Sequence, residues 1–304
     1  MRSHRRIPRW LPLGAVAVLT LGAGGNGTYF PLGQGSRWHS VAEGHSVSRD
    51  LSGVVSELHS HDDYVRTIDG TEERFGRTYT ILREELTETI DGVPDEFTSW
   101  IRYRQDGTGL YEADVASNTP PGVEPPAAAR VTPGHSALSD RLVRDLPEKN
   151  RAAYRAAWER IHARVAMIRD AVRGLGSTRK LDRASAPPAS TPRTAAENEL
   201  TRLLYPLHKG QTWQIRPDPL FTSEVEATES LSIPAGRFSS SRIRVDSPPF
   251  FGPNDRVHLW MSRSGQLALQ YHFEGDVTDV NGNVIGTNIF DYREELQDFD
   301  LAAR

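Results

Sequence analysis

The chain contains no cysteine in its 304 residues. That excludes disulfides, thiolate metal ligands and thiol catalysis, and it removes the residue through which a bacterial lipoprotein is lipidated. Long apolar runs are missing too. The longest, Trp10 to Leu21, spans twelve residues, well short of the roughly 20 needed to cross a bilayer as a helix. There is no Gly-x-Ser-x-Gly turn, no glycine loop ending in Lys and Ser/Thr, and no His-Glu-x-x-His. The commonest signatures of serine hydrolases, nucleotide-binding proteins and zinc proteases are therefore absent.

What is present begins with a basic start, Arg2, Arg5, Arg6 and Arg9, followed by that apolar stretch and by Gly22-Ala23-Gly24. This is the order of a secretory signal, predicted over residues 1–24, with an uncleaved N-terminal anchor as the other reading. Periplasmic or secreted localisation follows. Hydrophobic residues at 37% support a folded body, and Gly 25 with Pro 20 imply many turns. Charge is unevenly placed. Residues 118–198 hold 14 Lys/Arg against 8 Asp/Glu, in a chain whose net charge is -4. A basic middle thus interrupts an acidic body.

One motif occurs twice. Tyr29-Phe30-Pro31-Leu32 leads through Gly35 to Trp38, and Leu204-Tyr205-Pro206-Leu207 leads through Gly210 to Trp213, 175 residues later. Such spacing points to two related β units or two corresponding strand starts. Short β-branched and aromatic stretches separated by turn formers follow each copy. In the first portion, 29–117, these are Val54-Val55, Tyr64 to Ile68, Thr78 to Leu82 and Phe97 to Tyr103, with bends at Asp69-Gly70, Phe75-Gly76 and Asp106 to Gly109. The second portion, 199–304, has Leu231 to Ile233, Arg242 to Val245, Val257 to Trp260 and Leu267 to Phe273. A type I′ hairpin is expected at Asn281-Gly282, and another strand or edge extension over Tyr292 to Leu296. Frequent turns and short segments predict mainly antiparallel β structure, with both portions in one composite domain.

The middle, 118–198, reads as a helical insertion with flexible linkers. A first helix is expected over Ala137 to Leu146. A longer one is expected from Glu148 to Leu175, where Tyr154, Trp158, Ile161, Val165, Ile168 and Val172 recur at steps of three and four. A short helix is expected over Ala195 to Leu203.

The doubled aromatic-Pro-Leu-x-x-Gly-x-x-Trp motif, with Pro234-Ala235-Gly236-Arg237-Phe238 and Leu259 to Gly265, resembles a loose group of uncharacterised bacterial envelope proteins, many of them lipoproteins. The likeness covers about 29–115 and 200–301. It implies a curved half-barrel or incompletely closed antiparallel β barrel, and it carries over no enzymatic residues. The absent cysteine departs from the group, as does the insertion.

Candidate sites are sparse. His59, His61 and Asp63 form the most metal-like cluster, because imidazole and carboxylate ligate zinc; His258 or His272 is the expected source of a third ligand, and a polar bend is the competing reading. Asp276, Asp279, Asn281 and Asn283 offer oxygens but lack the spacing of a calcium loop. Glu84, Glu85, Glu224, Glu226 and Glu229 are candidate carboxylates without specificity. Trp38, Trp213 and Trp158 are candidate ligand-facing aromatics, though structural packing is the stronger reading. Arg151, Arg155, Arg160, Arg164, Arg169 and Arg173 make the long helix basic, suited to an anionic surface or to pairing with the acidic body. The expectation is a non-catalytic binding or interaction protein of the envelope, with lipid or an envelope protein as partner, no cofactor and no nucleic acid. An envelope hydrolase with a His/carboxylate site and a purely structural protein are the alternatives.

Overall fold

The computed structural model describes residues 30–90, 92–113, 120–122, 142–144, 146–173, 199–217, 220–248 and 250–302. The signal segment lies outside the described residues, as do Ala137 to Asp140 of the first expected helix, most of both linkers, and the Arg169 and Arg173 side chains. Twelve strands form one antiparallel sheet. They are β1 (Arg37–Asp50), β2 (Gly53–Arg74), β3 (Arg77–Ile90), β4 (Val93–Gln105), β5 (Gly109–Ala113), β6 (Glu199–Leu204), β7 (Thr212–Pro217), β8 (Leu220–Ile233), β9 (Gly236–Asp246), β10 (Arg256–Ser262), β11 (Gly265–Thr278) and β12 (Val284–Asp300). The order is β6-β5-β4-β3-β2-β1-β12-β11-β10-β9-β8-β7. Two six-stranded meanders are thus joined where β1 pairs with β12, and β6 and β7 end the sheet. The sheet curls until it nearly closes into a barrel.

Each meander opens on one copy of the repeated motif, and the two copies form the same turn. Gly35 and Gly210 take φ of +85° and +81°, a conformation glycine reaches without steric cost. Gly35 N–H bonds Ile68 O and Ser36 N–H bonds Gly33 O; Gly210 N–H bonds Val225 O and Gln211 N–H bonds His208 O. Trp38 and Trp213 follow, each buried as the second residue of its strand.

Strand alternation sorts side chains into an inner and an outer face. The inner face of β1 is small: Ser40, Ala42, Gly44, Ser46 and Ser48. Long polar side chains from the flanking strands lean over it and meet. Tyr64 Oη and Tyr292 Oη lie 2.8 Å apart and 2.9 and 3.1 Å from Asp62 Oδ2, so two hydroxyl protons serve the three contacts. Arg66 reaches Glu84 at 2.5 Å and Glu294 at 2.6 Å. The interior is otherwise mostly apolar, including Leu82, Ile101, Phe221, Ile243, Val257, Leu269 and Phe273, with a second buried ion pair, Arg202 and Glu112, at 2.7 Å.

The long helix, α1 (Glu148–Arg173), forms as expected, and the last two residues of its expected span, Gly174 and Leu175, lie outside the described residues. Its apolar stripe, Tyr154, Ala157, Trp158, Ile161, Val165 and Ile168, is buried against the inner face of β11 and β12. Two glycines make room: Ile161 lies over Gly275 and Tyr154 over Gly286. Trp158 Nε1–H donates to Ser48 Oγ at 2.9 Å, Ser48 donates to Asn288, and Tyr154 donates to Arg49 O. Burial of each such side chain is worth about 1.5–3 kcal/mol.

Three local expectations change. Residues 199–203 of the expected short helix are strand β6, because pairing with β5 extends the sheet edge. Asp69-Gly70 is a bulge inside β2, not a bend between strands; strands here run to 22 residues, since a twisted bulged ladder tolerates polar interruptions. At the β11–β12 turn only Gly282 has positive φ. Asp279 Oδ1 accepts from Asn281 and Asn283 N–H, so the turn is wider than type I′.

Candidate functional site

The outer face of β1 and β2 carries the histidines. His59, His61 and Asp63 share that face at alternate positions, but strand pairing gives each a different partner. His61 Nδ1 lies 2.8 Å from Glu43 Oε1. Asp63 Oδ2 lies 3.2 Å from His39 Nε2, whose other nitrogen is 3.1 Å from Asp298. Burial works to lower the pKa of His39, but its hydrogen bonds to Asp298 and Asp63 prevail and hold it above the ordinary value. Asp62, between His61 and Asp63 in sequence, faces the other way, into the barrel, and meets Tyr64.

His59 instead sits opposite His45 across the β1–β2 ladder. Their rings stack with centroids 4.4 Å apart and planes 6° from parallel. Glu57, two residues before His59 on the same face, places Oε2 at 3.6 Å from His45 Nε2. One ligating atom from each of His45, Glu57 and His59 lies within 4.8 Å of the others. His45 Nε2 makes no hydrogen bond and has Glu57 Oε2 as its ion-pair partner. Two imidazoles and a carboxylate on borderline-hard atoms are a donor set for zinc or a similar divalent ion.

His272 and His258 do not complete this cluster. His272 lies two strands away, with Nδ1 at 2.7 Å from Asp291; Asp291 is itself the cross-strand neighbour of His45. His258 is on β10, 3.2 Å from Glu226. The sequence reading chose one member, His59, and missed His45 and Glu57.

The remaining candidates are placed as follows. Trp38, Trp158 and Trp213 are all core residues, and Trp38 Nε1–H donates to Ser264 O at 2.8 Å. Glu84 is inside the barrel on Arg66, while Glu85 is outside on Arg83. Glu224, Glu226 and Glu229 line the outer face of β8, paired with Arg244 and Arg242. Arg164 bonds Asp255, Arg160 reaches Asp276 O and Arg151 reaches Leu146 O, so these helix cations hold the protein's own groups. Inside the wall, a cavity bounded by Tyr103, Leu110, Arg202, Leu203, Ile215 and Met261 measures about 40 Å³. Small-molecule sites usually occupy about 300–1,000 Å³.

No known protein family matches the chain, and no curated protein does. Two solved structures align over its length. One is a "putative lipoprotein" from Parabacteroides distasonis ATCC 8503, at 11% identity, TM-score 0.30, covering 90% of this chain and 99% of that one. The other is a "putative exported protein with YmcC-like fold" from Bacteroides fragilis NCTC 9343, at 11% identity, TM-score 0.31 and the same coverages. Likeness at this level assigns neither function nor site.

Proposed function

We propose that this is an exported protein of the bacterial envelope that binds a divalent transition metal on its outer wall through His45, Glu57 and His59. Export rests on the basic and apolar start of the sequence. The single observation that carries the metal is the convergence of those three ligating atoms, with His45 Nε2 facing Glu57 Oε2 at 3.6 Å. His45, Glu57 and His59 would hold the ion, and zinc there would supply an activated water for attack on polarised esters or amides, so metal-assisted hydrolysis is the reaction class the residues favour. A lipid-carrying interior has less support, since the cavity inside the wall is about 40 Å³.

The test is zinc titration by calorimetry of the chelator-treated full chain, beside metal analysis of protein purified without added metal. One ion per chain is expected, weakened at least tenfold in His45→Ala and in His59→Ala. Absence of stoichiometric binding, or full binding by both variants, refutes the proposal.

A further inference from the structure

A second concave surface lies on the other meander. The loop between β9 and β10 folds beside the strand ends and borders an open groove of about 660 Å³, lined by Glu226, Arg244, Asp246, Phe251, Arg256 and His258 among others. The loop is pinned. Asp255 accepts from Gly252 and Glu274 N–H and pairs with Arg164 of α1 at 2.9 Å, while Ser247 Oγ–H donates to Leu220 O. Phe251 packs edge-on against Phe221 and Phe273 of the core. A groove this size with fixed walls is the usual form of a small-molecule site.

Its polar groups are arranged for one chemistry. His258 Nε2 lies 3.2 Å from Glu226 Oε2. The carboxylate is held in turn by Arg242 Nε at 3.2 Å and Arg244 Nε at 3.4 Å. A carboxylate on one ring nitrogen fixes the tautomer and leaves the other nitrogen as the basic one. Burial, with some help from Arg242 and Arg244, keeps the pKa of His258 below its ordinary value despite Glu226, so the ring is neutral and basic near pH 7. The acids of the groove are spoken for: Glu226 by Arg242 and Arg244, Asp255 by Arg164, and Asp246 by Arg244 at 4.0 Å. Arg256 donates to two backbone carbonyls, Pro253 O at 2.8 Å and Asp255 O at 2.6 Å. Those bonds orient its guanidinium without neutralising it, which suits capture of a carboxylate or phosphate.

We infer that this groove is a metal-independent hydrolytic site, in which His258, positioned by Glu226, is the general base toward an ester whose anionic group is held by Arg256. His258 Nδ1 takes a proton from water as the water oxygen bonds to the acyl carbon, and the carbonyl π pair moves onto oxygen. Collapse of that oxyanion expels the alkoxide, which recovers the proton from the imidazolium. The products are a carboxylic acid and an alcohol, and water is the only co-reactant.

The experiment uses the full chain treated with EDTA, with 4-nitrophenyl hydrogen succinate as the anionic ester and 4-nitrophenyl acetate as its neutral counterpart. Saturable release of nitrophenolate is expected, with a pH–rate midpoint below 6.5. His258→Gln lowers kcat at least tenfold, whereas exposed His208→Gln leaves it unchanged. Glu226→Gln moves the midpoint further down, a shift that a merely structural carboxylate does not produce. Arg256→Gln raises KM for the succinate ester alone. Circular dichroism checks that each variant is folded. Non-saturable release, or a folded His258→Gln with wild-type rate, overturns the inference. Activity that EDTA abolishes and zinc restores also overturns it, and assigns the hydrolysis to the His45 centre instead.

Discussion

Replacing Arg66 by Met tests the physical account of the barrel interior. The guanidinium bonds Glu84 and Glu294 at 2.5 and 2.6 Å, and both glutamate side chains are 1% exposed. Met preserves much of the volume and removes the charge, leaving two carboxylates in a water-poor interior. Breaking a buried pair in this way costs about 3–5 kcal/mol. Protonation sets a ceiling for each of the two carboxylates: forcing an ordinary Glu to take up a proton at pH 7 costs about 3–4 kcal/mol, at about 1.4 kcal/mol per pH unit. The loss in Arg66→Met should therefore shrink as pH falls from 7.5 to 5. Urea denaturation of both proteins at the two pH values measures it. Adding Glu84→Gln and Glu294→Gln to the variant should recover most of the stability, because neutral amides replace the uncompensated charges. A cost under about 1 kcal/mol, a pH-independent loss, or a triple variant no better than the single one would show that the network is wetter than the geometry indicates.

Other perturbations probe the helix and the outer wall. A Cβ at Gly286 would lie 2.0 Å from Tyr154 Oη and 2.2 Å from Arg49 O; Gly286→Ala should destabilise by about 1–3 kcal/mol, and Tyr154→Phe in that background should relieve only part, as thermal melts would record. Trp158→Phe keeps the ring but removes the N–H donated to Ser48 Oγ; a loss of about 1–3 kcal/mol is expected, and urea midpoints equal to wild type would deny the bond a role. His39, with its pKa raised by Asp298 and Asp63, stabilises fully below the unfolded value near 6.5 and loses that contribution as pH rises through its higher folded value. The gap between wild type and His39→Gln should thus be present at pH 5.5, less than about 1 kcal/mol in size for so exposed a pair, and absent at pH 9; a gap that persists at pH 9 would place its origin in packing.

The architecture was legible because its signals are local. Turn residues at Phe75-Gly76, the apolar stripe from Tyr154 to Ile168 and the paired Pro-Leu segments each declare themselves within ten or fifteen residues. The cluster of His45, Glu57 and His59 was not legible, and the reason is one residue of register. Counting back from the β1–β2 turn, where Asp50 faces Gly53, an unbroken ladder would set His45 opposite Leu58. A shift between Ser48 and Arg49 sets it opposite His59 instead. Bulges of this kind turn a side chain to the other face and leave no sequence mark. The interior ion network escaped notice for a related reason. Arg66, Glu84 and Glu294 read as surface charges until the small inner face of β1, Ser40-x-Ala42-x-Gly44, is seen to leave the space they occupy.

The repeated motif also explains why the two candidate sites are not copies of one another. Both meanders begin with the same turn and the same buried Trp, yet β1 runs 14 residues and β7 only 6. Moving 175 positions on from His45 reaches Leu220, which already begins β8. The position of His39 therefore has a counterpart in Gln214 of β7, but that of His45 falls on the next strand. That length matters at the seams. The long β1 pairs with β12 from Arg37 to Asp50 and brings Asp291 beside His45, whereas the short β7 leaves its outer edge and that of β6 as the sheet's ends. There a Gln211 side chain reaching Leu204 O at 3.0 Å and Tyr205 N–H on Thr108 O tie the junction. One difference in strand length thus closes the barrel on one side and builds the histidine wall there. The second half is left to form its groove from the β9–β10 loop, and the proposed metal site and the proposed general-base site fall to different meanders.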